Sequence, residues 1–265
     1  MRVLHILPTR EIEYGGPVAV AEELVRELLE QDIEASIYPS NAEPNLKLGL
    51  WNKYLDIKAI VSNSDLVHIH GLWNFSSTIA AYTAKKFNIP YIITPHGMLD
   101  RWALSRGRWK KFVFSLFFEK NNLIGASGVH FLNSEELEEA KDFGVIFASF
   151  ILPNGIREMQ FDNLPLRSEL EKKYPYFKGK LLALFLGRLH PKKGGDLLLK
   201  ALSKTVENVP SIHLIIAGPN ENNYRETLEK IIDRHNLSKH VSFMGMVKGR
   251  KKLEMLSLSD FFVLP

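Results

Sequence analysis

Six consecutive apolar residues, Leu181 to Leu186, run directly into Gly187-Arg188 and the basic turn HPKKGG, and then into DLLLKALSKTVE. An unbroken apolar run suits a strand buried on both faces, as in parallel sheets covered by helices. Parallel strands need a crossover, so strand, turn and helix in this order point to an open α/β sheet. Such sheets bind ligands beyond the carboxyl ends of their strands. Arg188, Lys192 and Lys193 crowd that edge, and Gly194-Gly195 open the helix. A helix N-terminus favours anions, and Arg and Lys add charge-assisted hydrogen bonds of about 1.5–3 kcal/mol each. The loop reads as a holder of phosphate or diphosphate; a solvated basic turn that merely starts a helix is the competing reading.

The same alternation runs through the chain. Strands are expected at 3–7, 34–38, 66–70, 91–94, 129–132 and 150–152, with helices at 17–30, 51–61, 78–87 and 108–120 and a capped start at Ser134. Pro153-Asn154-Gly155 is a turn cluster, followed by a polar, proline-bearing segment to Gly179. Strands at 181–186, 212–218 and 241–245 then alternate with helices near 222–235 and 248–256. This pattern predicts an α/β chain of two doubly wound parallel sheets, divided as 1–153 and 154–265, and 265 residues suffice for two such domains. The formal charge of +4 suits an anionic ligand or membrane surface and is too small to argue for nucleic acid. Without cysteine there are no disulfides or thiolate metal sites, and an intracellular setting would be unremarkable. The N-terminal apolar run is too short for a signal peptide, and no stretch approaches a membrane span.

Individual motifs carry less. Gly15-Gly16 lies between the first strand and its helix, where glycine lets a ligand approach the backbone; no GxGxxG accompanies it. His96, in TPHG beyond a buried strand, can meet a sugar hydroxyl or hydrogen-bond its own loop. His68 and His70 share a strand face, but no partner spacing supports a metal. WALSRGRWKKFVFSLFFEK, 102–120, mixes aromatic with basic residues: a membrane-surface helix, or a core helix packing Phe112, Leu116 and Phe117 under a basic outer face. Asn154-Gly155 suits a hinge with a left-handed turn.

Taken in order, the Gly15-Gly16 loop, LVHIHGLW, TPHGML, PNGI, LGRLHPKKGGDLLLKA, LIIAGP, FMGMV and LSDFFVLP resemble the retaining nucleotide-sugar glycosyltransferases of family 4 across essentially the whole chain. That resemblance implies the GT-B architecture, two facing Rossmann-like domains, with the acceptor mostly on the first and the nucleotide diphosphate mostly on the second. Gly15 and Gly16 would approach the donor, and His96 would contact the transferred sugar as the catalytic residue. Arg188, Lys193 and Gly194 would hold the diphosphate in place of a metal, so neither metal nor cofactor is expected. Phe243, Gly245 and Met246 would lie near the base. HGLW and PHGMLDRWAL are most similar to members that build bacterial surface polysaccharides, which implies a cytoplasmic protein, peripheral on the inner membrane face through 101–120, acting on a glycan or lipid-linked acceptor. The family's Glu-x7-Glu pair would follow DFFVLP, where this sequence stops, so the second domain is expected to be partial. A partner-requiring or non-catalytic fragment, and a nucleotide-sugar 2-epimerase, are the alternatives.

Overall fold

The computed structural model describes residues 1–9, 16–39 and 49–265. They form two compact units, Met1–Ile156 and Arg157–Pro265. The division falls three residues beyond the expected one.

The first unit is a six-stranded parallel sheet in the order β2-β1-β3-β4-β5-β6. Its strands are β1 Arg2–Leu7, β2 Glu34–Pro39, β3 Leu66–His70, β4 Tyr91–Thr94, β5 Gly128–Phe131 and β6 Ser149–Ile151. The chain steps outward from β1 to β2 and then returns past β1 to β3, so the topological switch lies between β1 and β3. The pleat sends alternate residues to opposite faces. Leu4, Ile6, Val67, Ile69, Ile93 and Phe131 join one apolar core. The opposite face carries His5, His68, His70 and His130 on the same buried strands.

The crossover helices are α1 Gly16–Glu30, α2 Gly49–Ser62 and α3 Phe75–Lys86. α3 begins three residues before its expected start because the Asn74 side chain accepts from the Ser77 N–H at 2.8 Å. Likewise Asn133, one residue ahead of Ser134, caps α7 Ser134–Lys141.

The helix expected over 108–120 is broken. α4 Arg101–Ser105 and α5 Arg108–Phe114 lead into a π turn, Ser115–Glu119, closed by the Lys120 N–H on the Ser115 carbonyl, and α6 Lys120–Ile124 follows. The extra residue in the turn changes which side chains face inward. Ser115 and Glu119 are buried, whereas Phe112, Leu116 and Phe117 are 59%, 59% and 64% exposed. The core-packed reading of those three residues is therefore wrong.

The second unit is a four-stranded parallel sheet in the order β10-β7-β8-β9. Its strands are β7 Leu181–Leu186, β8 Ile212–Ala217, β9 Val241–Gly245 and β10 Phe261–Phe262. Alternate residues of β7 and β8 feed two apolar cores: Ala183, Phe185, Leu214 and Ile216 on one face, Leu182, Leu184, Ile215 and Ala217 on the other. The helices are α8 Arg167–Lys173, α9 Gly195–Asn208, α10 Tyr224–Arg234 and α11 Gly249–Leu258. α8 occupies part of the segment read as merely polar. Leu170 supplies its one buried apolar contact, and buried Glu254 of α11 ties it down, accepting from Lys173 Nζ and Tyr174 OH at 2.8 Å each.

Candidate functional site

At the carboxyl edge of the first sheet, one strand beyond the switch, the loops after β3 and β4 lie against each other. The Gly71 N–H donates to the Thr94 carbonyl at 2.8 Å, and Trp73 Nε1 donates to the Met98 carbonyl at 3.4 Å. Trp73 and His96 both adopt positive φ, 64° and 52°, which L-residues accept only when their surroundings hold them there. Two buried carboxylates supply that hold. Glu136 accepts from the Gly97 N–H at 2.5 Å and from the Leu132 N–H at 2.9 Å. Glu119 accepts from the Trp73 N–H at 3.1 Å.

Burial pushes the Glu119 carboxyl up to about 7, against the lowering influence of the Trp73 N–H and the Asn122 side chain. Its folded value then lies above the unfolded 4.5, so the folded state binds the extra proton between those values and stability falls as pH rises through that window. Glu119→Gln keeps the acceptor for Trp73 and removes the charge. The variant should gain about 3 kcal/mol over the parent at pH 8 and nothing near pH 4. Urea unfolding at the two pH values checks this; an equal difference at both would rule out a raised carboxyl.

Five histidines form a connected cluster at this edge. His130 Nε2 lies 2.7 Å from the Leu152 carbonyl, which only accepts, so Nε2 carries the proton. His130 Nδ1 then accepts from Thr94 Oγ1 at 3.0 Å, and Thr94 Oγ1 in turn accepts from His68 Nε2 at 2.7 Å. Beside this relay, His5 Nδ1 meets His70 Nε2 and His70 Nδ1 meets His96 Nε2, both at 3.0 Å. Neutral rings in such a row must donate in one sense throughout, so His70 sets whether Nδ1 of His96 is a donor or an acceptor. Burial is the first cause of lowered pKa values at His5 and His96, both to about 4, and at His68 and His70, which lie well below the ordinary value. Neighbouring imidazoles add to the lowering at His68, His70 and His96. Among the described residues, ring nitrogens of His5, His68 and His70 lie within 4.8 Å of one another and could ligate a metal ion, and His5 Nε2 is buried without a hydrogen-bond partner. The sequence signal for four of the five is histidine in three otherwise apolar strands, VLHIL, LVHIH and GVHF; the fifth, His96, is the loop histidine of TPHG.

Gly16 opens α1 and is exposed; an added Cβ would meet nothing within 4 Å. Gly15 lies outside the described residues. Asn154 and Gly155 are exposed and sit just before the boundary between the units. Neither has positive φ, so the left-handed turn expected there is absent.

In the second unit the switch lies between β7 and β10, and the basic loop leaves β7 there. The loops after β7 and β8 are zipped together. Leu189 pairs with Asn220 in a parallel bridge, and the Leu189 N–H donates to the Pro219 carbonyl at 2.9 Å. The Gly218 N–H reaches the Gly245 carbonyl at the end of β9 at 2.8 Å. Three strand ends thus converge on Gly187, Gly218 and Gly245. A 3-10 turn over Pro191–Lys193, closed by Gly194 at φ 65°, presents Lys193 ahead of α9. Burial lowers the Lys193 pKa, and nearby Arg188 and Lys192 lower it further. Arg188 pairs with Glu221 at 2.7 Å. Met246 and Gly245 are exposed at the end of β9, whereas Phe243 packs against the core with the Arg225 guanidinium 4.5 Å from its ring centroid. The structure therefore brings Arg188, Lys193, Gly194 and Gly245 to one edge of one sheet.

Two family models match: the glycosyl transferase 4-like domain over 43–155 and glycosyl transferases group 1 over 167–265. A GDP-mannose-dependent phosphatidylinositol monomannoside mannosyltransferase of Mycobacterium tuberculosis is 32% identical over 127 residues, which is 48% of this chain and 32% of that protein. The matched stretch thus spans about a third of the relative's length. Anabaena HepE, solved with UDP and glucose, superposes on 99% of this chain and 73% of its own with a TM-score of 0.77 and 17% identity. The UDP-GlcNAc 2-epimerase of Neisseria meningitidis shares the fold less closely, at a TM-score of 0.59 and 13% identity over 99% of this chain and 76% of its own. Matched in both units by transferase models and carrying the GT-B α/β fold, the chain belongs to the family 4 glycosyltransferases.

Proposed function

We propose that this chain takes part in transferring a hexose from a nucleoside-diphosphate donor to a glycan or lipid-linked acceptor, with retention, in bacterial surface polysaccharide synthesis. The observation that carries the donor half is the crowding of Arg188, Lys192 and Lys193 on one braced loop. Like charges forced together in a partly buried turn are a standing electrostatic cost, and a diphosphate relieves it. The Arg188–Glu221 pair is half exposed, worth about 1 kcal/mol or less, and yields to a dianion. As the anomeric C–O bond breaks, negative charge grows on the leaving diphosphate, and Arg188 and Lys193 stabilise it without a metal. Gly194 helps to hold the diphosphate, and Phe243, Gly245 and Met246 lie near the base. His96 presents Nδ1 to the transferred sugar, in a tautomer set by His70. Asn154-Gly155 serve as the hinge.

The acceptor half is supported by a relative whose name states a phosphatidylinositol mannoside acceptor, and by the exposed basic-aromatic segment 101–120, which suits peripheral contact with the inner membrane face. Transferase models match both units, which favours transfer over 2-epimerisation.

The test is calorimetric binding of UDP, GDP and ADP. One nucleotide should bind selectively, and Lys193→Ala should weaken it about 10- to 100-fold, the loss of one charge-assisted contact. Unchanged affinity in Lys193→Ala would remove the diphosphate role. Nucleotide binding without turnover of any donor sugar would leave a binding module.

A further inference from the structure

We propose that the first unit holds a dedicated site for the phosphate or diphosphate group of a membrane amphiphile, in a cavity beneath the 101–120 segment. This rests on the transferase reading and names its acceptor class: a glycan carried on a phosphate-linked apolar chain.

The cavity has a volume of 580 Å³, within the range of about 300–1,000 Å³ usual for small-molecule sites. Trp73 and Phe143 are among its lining residues, with ring centroids 5.7 Å apart in an edge-on arrangement. Arg101, Arg108, Lys111 and Lys120 surround them, with one acidic residue, Asp142. That carboxylate is already engaged by Arg101 Nε at 2.8 Å. Lys111 is drawn inward: its Nζ donates to the Ala103 carbonyl and lies 5.6 Å from the Trp73 ring centroid. Lys120 Nζ lies 5.9 Å from the Phe143 centroid. Arg108 and Lys120 have no carboxylate within ion-pair distance among the described residues, so the cavity keeps an excess of positive charge facing aromatic walls.

The apolar surroundings decide between a free anion and a lipid-borne one. Phe112 lines the cavity and is itself mostly exposed, and Trp109, Leu116 and Phe117 continue the exposed apolar surface along the same segment. Three consecutive exposed apolar residues, Leu116, Phe117 and Phe118, follow from the π turn that buries Ser115 and Glu119. A soluble phosphate makes no use of such a surface. A phosphate on a hydrocarbon chain uses both parts at once: the head group meets Arg108, Lys111 and Lys120, and the chain covers the aromatic row. Glu119 accepts the Trp73 N–H from within the π turn, so the same turn that exposes the aromatics also positions one wall of the cavity.

The probes are farnesyl diphosphate, farnesol and inorganic diphosphate, titrated into the chain below micelle-forming concentrations. Quenching of tryptophan fluorescence is the readout, since Trp73 lines the cavity and Trp109 lies on the exposed row. Farnesyl diphosphate should bind at least about tenfold more tightly than either fragment. The double variant Arg108→Gln, Lys120→Gln should lose about 10- to 100-fold in affinity, with its melting midpoint as the control for folding. Both residues lie outside the apolar core. Equal binding of farnesol would overturn the head-group site, and equal binding of inorganic diphosphate would make it a free-anion site. An unchanged affinity in the double variant would place the diphosphate elsewhere. UDP binding, read separately, tests the donor assignment: its absence alongside tight farnesyl diphosphate binding defeats the transferase reading and leaves this site standing.

Discussion

Taking the protein from pH 7 to pH 5 should destabilise the first unit by about 2 kcal/mol or more. Buried neutral rings must protonate on unfolding. His5 and His96 have folded values of about 4 against an unfolded 6.5, so the unfolded state binds more protons throughout that window. Stability is complete above pH 6.5 and drains away as pH falls toward 4. At pH 5 each such ring costs about 2 kcal/mol. Glu119 works in the opposite sense over the same range and returns about 2 kcal/mol. It stands against four rings, because His68 and His70 are lowered as well, and the histidines win. Urea unfolding followed by circular dichroism at pH 7 and pH 5 provides the measurement, and Glu119→Gln, lacking the offset, should show a steeper loss. A flat or rising profile would mean that the rings are already solvated in the folded state.

Gly218→Ala should be the most damaging single methyl group in the second unit, costing about 4 kcal/mol or more. At φ 153°, an added Cβ would lie 1.8 Å from the Gly187 carbonyl oxygen and 2.6 Å from its carbon. Both obstacles are backbone, held by the Gly187 N–H on the Ala217 carbonyl and by the Leu189–Asn220 bridge, so no rotamer change relieves the clash. The two loops would have to separate, and with them the brace under Arg188 and Lys193. Gly179→Ala is the control: it has a positive φ of 74° with nothing within 4 Å, so it should cost only about 1–2 kcal/mol of backbone strain. Similar thermal midpoints for the two variants would show that the loops do not press together.

The strands and most helices were legible because periodicity is a local property. LLALFL, IHLIIA and VLHIL announce burial by composition alone, and the basic turn after LLALFL marks a sheet edge wherever that sheet is built. Capping side chains shifted boundaries by one to three residues, as at Asn74 and Asn133. α8 escaped notice because seven largely charged residues with one buried leucine carry no periodic signal; Glu254, eighty residues away, is what holds it.

What the sequence determined by itself is the fold class, two parallel α/β sheets, and the basic edge of the second sheet, because both follow from the order of residues along a strand, a turn and a helix. What only tertiary structure decided is the state of individual groups. The exposure of Phe112, Leu116 and Phe117 depends on a π turn that moves the inward face onto Ser115 and Glu119. The row His5–His70–His96 depends on register between β1 and β3, more than sixty residues apart, and on the loop after β4 folding back onto β3. Burial, pKa and tautomer are properties of neighbours, and a linear sequence does not say which residues those neighbours are until the sheet has closed around them.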